Sequence, residues 1–97
     1  MVETPIIIDE NLRLVFARLE GALGVYFIPS EIERVFSDAT LNQRDEKEYS
    51  LLETPRVRVT GRVEEYEPEI IAISIFGPRR HLRRCKEILK QASESHA

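Results

Sequence analysis

A chain of 97 residues, 42% hydrophobic and 32% charged, has the length of one domain and too much apolar content to be disordered throughout. Its net charge of −3 argues against a general nucleic-acid binder, and a single Cys excludes an internal disulfide. No run approaches the about 20 apolar residues of a membrane-spanning helix. The opening segment, Met1 to Glu10, lacks a basic start followed by a long apolar stretch, so no signal peptide is expected. A small domain without disulfides fits a reducing, cytoplasmic setting.

In chain order, Thr4 to Ile8 ends in three isoleucines and reads as a short buried strand. Asp9 follows as a helix N-cap. Leu12, Val15, Phe16, Leu19 and Leu23 then recur at helical spacing, which predicts a helix with one buried face, stopped at Gly24. Val25-Tyr26-Phe27-Ile28 is bulky and β-branched, and reads as a second strand closed by Pro29. On a sheet edge it could pair with a partner strand or a second copy. Ser30 and Glu33 have capping-box spacing, and behind them Ile32, Val35, Phe36 and Ala39 mark a second amphipathic helix. Residues 42–55 show no clear period and read as a long surface loop.

From Arg56 to Glu64 the pattern alternates, Val57, Val59, Gly61 and Val63 against Arg56, Arg58, Thr60, Arg62 and Glu64. This predicts a strand with one wet face. Glu65 to Pro68 forms the turn, and Glu69 to Phe76 is the partner strand of a hairpin. Gly77-Pro78 ends it, and the last helix spans about 78–93 with Leu82, Cys85, Ile88, Leu89 and Ala92 inward. Residues 94–97 are expected to fray. The order is β-α-β-α-β-β-α: an α+β domain, a small two-layer sandwich with helices on one face of a short mixed sheet. It is not the ferredoxin-like order, because no strand follows the last helix.

Charge is unevenly spread. Residues 29–55 hold seven acids and three bases, whereas residues 78–97 hold six bases and two acids. Arg79, Arg80, Arg83 and Arg84, with His81, crowd the first two turns of the last helix, the end where its dipole is positive and cations are unfavourable. A rule broken this heavily calls for a compensating partner. The candidates are an external anion, the acids Glu64, Glu65, Glu67 and Glu69 just upstream, or an acidic surface on another subunit. Arg56, Arg58 and Arg62, with Tyr66 or Tyr49 to stack a base, form a candidate second surface.

His81 and Cys85 stand four apart, but two ligands do not make a metal site, and His96 lies in the tail. The lone Cys85, inside an apolar stripe, reads as a small buried hydrophobe. No nucleophile elbow, dinucleotide fingerprint or phosphate loop occurs, so neither an enzyme nor a cofactor is expected. The expected function is a non-catalytic protein-interaction module, a small subunit, adaptor or assembly factor, which could also self-associate. The alternative is a nucleic-acid-binding domain that contacts phosphates through Arg79, Arg80, Arg83 and Arg84.

Overall fold

The computed structural model of the chain describes residues 1–40 and 46–94. Its elements are β1 (Val2–Ile7), α1 (Asn11–Leu23), α2 (Pro29–Thr40), β2 (Lys47–Glu53), β3 (Arg58–Glu64), β4 (Glu67–Phe76) and α3 (Arg79–Glu94). The four strands form one sheet in the order β1-β4-β3-β2, and every neighbouring pair is antiparallel. Three helices and four strands make an α+β domain, as the sequence predicts. The sheet, however, is antiparallel rather than mixed, and the order is β-α-α-β-β-β-α.

The difference lies in one strand. Val25 to Ile28 is an irregular link: the Phe27 N–H donates to Glu20 Oε2 (2.7 Å) and the Ile28 N–H to the Leu51 carbonyl (2.8 Å). Tyr26 in it is 86% exposed. The strand that the sheet uses instead is β2, within the expected loop. A bulge between Ser50 and Leu52 places both Leu51 and Leu52 in the core and breaks the alternation that would have marked it. Of the expected loop, residues 42–45 lie outside the described residues, as do 95–97 of the expected tail. Glu94 belongs to α3.

The core forms where the apolar stripes predict. Leu12, Val15, Phe16, Leu19 and Leu23 of α1 are all buried, and Gly24 caps the helix in the left-handed region at φ 74°. They pack over Ile71, Ile73 and Ile75 of β4 and Val59 and Val63 of β3. Side chains of this size contribute about 1.5–3 kcal/mol each when fully buried. Gly61 in the middle of β3 makes room for Ile71, since a Cβ there would come 2.5 Å from Cδ1 of Ile71 and that side chain would have to shift. Asp9 accepts the Asn11 N–H at 2.9 Å, so it serves the start of α1 from one residue outside the cap. The Ser30–Glu33 box does not form: α2 starts at Pro29, and Glu33 instead binds Arg13 at 2.8 Å.

α1 is the middle helix of its layer. It packs against α3 on one side, and on the other Phe16 meets Phe36 of α2 edge-on. The opposite sheet face, with Arg58, Thr60 and Arg62, carries no helix among the described residues.

Candidate functional site

Strand direction decides where the charges go. β4 runs from Glu67 to Phe76, and ten residues of strand span about 30 Å. The hairpin acids Glu64, Glu65, Glu67 and Glu69 therefore sit at one end of the sheet. The Gly77-Pro78 corner and the start of α3 sit at the other. The internal acids proposed to offset the arginines are out of reach, since exposed charges separated by more than about 8 Å are largely screened at physiological salt.

Arg79, Arg80, Arg83 and Arg84 are exposed, and none has an ion-pair partner among the described residues. Glu87, one turn after Arg83, forms no ion pair with the described residues either. The corner that feeds α3 is fixed by the Pro78 carbonyl, which accepts the His81 and Leu82 N–H groups at 3.0 and 3.1 Å.

Two arginines of the second surface join this end and one does not. Arg56 lies in the β2–β3 turn, which Thr54 holds: its Oγ1 accepts the Val57 N–H at 2.9 Å, and its own N–H donates to the Val57 carbonyl at 2.9 Å. Gly77 packs beside Val57, so this turn and the start of α3 adjoin. Arg58 pairs in register with Phe76 and lays its guanidinium 4.7 Å from that ring's centre. Arg62 lies four residues along β3 and is bound to Glu64 at 3.0 Å. Tyr66 is in the acidic hairpin turn, at the far end, and 80% exposed. Tyr49 is buried on the helix side of the sheet. The tyrosines expected to stack a base are therefore not at the arginine end.

The exposed aromatic at the arginine end is Tyr26. α1 begins beside the acidic end and runs back, so its capping Gly24 and the link after it share an end with Arg56 and Arg79. The signal in the sequence was an aromatic between two residues that end and start helices, Gly24 and Pro29.

Other chemistry is sparse. His81 is half-buried with an unpartnered Nδ1, and Cys85, one turn on, is buried, which pushes its thiol up. Among the described residues no three potential ligands cluster around a point that could hold a metal. Tyr49, Asp38, Lys47 and Arg34 make a polar network against β2: the tyrosine hydroxyl donates to Asp38 Oδ2 at 2.7 Å, and Lys47 lies 3.8 Å from the same oxygen. The space beside it is about 10 Å³, too small for a substrate. No helix among the described residues is long and apolar enough to cross a membrane. Comparison with protein-family models, curated proteins and solved structures finds no match.

Proposed function

We propose that the chain is a non-catalytic interaction module of the cytoplasm that binds an acidic surface of a protein partner through its arginine end. The observation that carries this reading is the clustering of arginines. Six of them, Arg56, Arg58, Arg79, Arg80, Arg83 and Arg84, gather at one end, where Glu53 stands in register with Arg58 and Glu87 lies one turn beyond Arg83, while the four hairpin acids stand at the other end. Arg and Tyr, with Trp, are enriched among the residues that dominate binding energy: Tyr buries a large rigid surface, and Arg offers a planar fork of donors that matches carboxylates. Tyr26 supplies the aromatic. A protein of net charge −3 also meets less repulsion from a local acidic patch than from a polyanion.

Affinity capture from the host's extract, with and without nuclease, tests the reading on wild type and on the Arg79→Glu/Arg80→Glu variant. A stoichiometric protein partner that survives nuclease and is lost by the variant is the expected result. Equal capture by the variant would remove the arginine end from the account.

A second reading has its own observation. Arg79, Arg83, Lys86 and Lys90 lie along one exposed side of α3 over about 16 Å, a line that could follow a phosphate backbone. On that reading nucleic acid is recovered and all protein is lost on nuclease treatment. Each arginine removed then flattens the salt dependence of binding by about one unit.

A further inference from the structure

The central helix of the outer layer leaves its crest bare. Leu14 is 60% exposed, although Leu12, Leu19 and Leu23 of the same helix are buried. One turn before it stands Glu10, at the N-cap, and one turn after it Arg18. Both are exposed, and neither side chain has an ion-pair partner among the described residues. Residues four apart share a helix face, so Glu10, Leu14 and Arg18 form one line. Farther along, Ala17 and Gly21 are exposed, and a Cβ at Gly21 would meet nothing within 4 Å. A cleft of about 400 Å³ lined by Leu14, Arg18 and Gln91 flanks the crest on the α3 side.

An acid four residues before an apolar side chain, with a base four residues after it, is complementary to itself when reversed. A two-fold axis through Leu14 lays α1 antiparallel on its copy. Leu14 then meets Leu14, and each Glu10 faces the other copy's Arg18, twice by symmetry. A parallel arrangement would set like charges together. We propose that α1 is the contact of a homodimer, with Leu14 at its centre and two reciprocal Glu10–Arg18 pairs at its rim. The chain itself carries the complementary pattern, so a second copy supplies the match without any other partner. One helix pair covers less than the roughly 1,600 Å² of a standard interface, so the dimer is weak and salt-sensitive. The contact is separate from the arginine end, and either can fail without the other.

Sedimentation velocity on the intact protein, from micromolar to millimolar concentration at low salt, reads the association directly. Wild type is expected to show a monomer–dimer equilibrium. Leu14→Glu should weaken it at least about tenfold, as should Glu10→Arg or Arg18→Glu alone. The double variant Glu10→Arg/Arg18→Glu should recover most of the loss, because both pairs are restored with their signs exchanged. All three side chains are exposed, and far-UV circular dichroism checks that each variant is folded. A wild type that stays monomeric throughout overturns the proposal. So does a dimer indifferent to Leu14→Glu, or a double variant no better than the single ones.

Discussion

Tyr49 shows how one side chain ties the layers together. It points from β2 toward the helices and is 2% exposed, and its hydroxyl reaches Asp38 near the end of α2 at 2.7 Å. Arg34 covers its ring at 4.7 Å. Burial first, then the hydrogen bond to Asp38 and that residue's charge, hold the phenol's pKa above the ordinary tyrosine range. A raised value means that the folded state favours the neutral phenol. Its contribution is therefore complete below the unfolded value of about 10, and is lost as the pH rises through the folded value. Tyr49→Phe removes a bond to a charged acceptor and should cost about 1.5 kcal/mol, the low end for such bonds, because Asp38 can recover water. Urea denaturation at neutral and strongly alkaline pH checks both statements. The stability gap between wild type and the Tyr49→Phe variant should narrow above about pH 10, and a gap that stays constant would assign the alkaline loss to another group.

At the scale of elements, the link at residues 25–28 shows what holds a segment that resembles a strand but is not one. Gly24 and Pro29 leave four residues between two helices, and the link reaches the sheet only at its last residue, Ile28. Glu20 instead reaches forward from α1 and accepts the Phe27 N–H, and Ile28 makes a single bond to the outer edge of β2. Glu20→Ala leaves that part-buried N–H unpaired and should cost about 1–2 kcal/mol, with amide exchange at Phe27 and Ile28 at least about tenfold faster. Glu20→Gln keeps an acceptor and should retain most of the protection. Hydrogen exchange followed by NMR decides, and an unchanged Phe27 amide in the alanine variant would show that the link is held by packing of the Phe27 ring alone. The same segment marks how far the sequence can be read. The five inward positions of α1 and the alternation of β3 were legible because each buries one regular face. β2 was not, because its bulge places Leu51 and Leu52 inward together and its pairing with β3 is set by the rest of the sheet. The arginine cluster was visible as a broken local rule. The expected hairpin already separates its acidic turn from the start of α3 by the length of one strand, so closeness along the chain between those acids and the arginines does not mean closeness in space.

For the whole molecule, that separation has a cost that can be measured. Arg79 and Arg80 stand in the first turn of α3, where the helix dipole is positive, with no acid of the described residues paired to them. Each should therefore destabilise the fold by about 0.3–1 kcal/mol at low salt, and less as salt screens it. Arg79→Gln and Arg80→Gln are expected to raise the melting temperature at low ionic strength, with the gain fading at high salt. Lys86→Gln, in the middle of the same helix, should change little, because the dipole's effect falls off within the first turn. The proposed function requires the same arginine substitutions to weaken partner capture, so stability and binding should move in opposite directions at these two positions. Thermal unfolding at two salt concentrations, run beside the capture assay, tests the coupling. Variants that are less stable than wild type would mean that Arg79 and Arg80 serve the fold, and the arginine end would lose its standing as a surface kept for a partner.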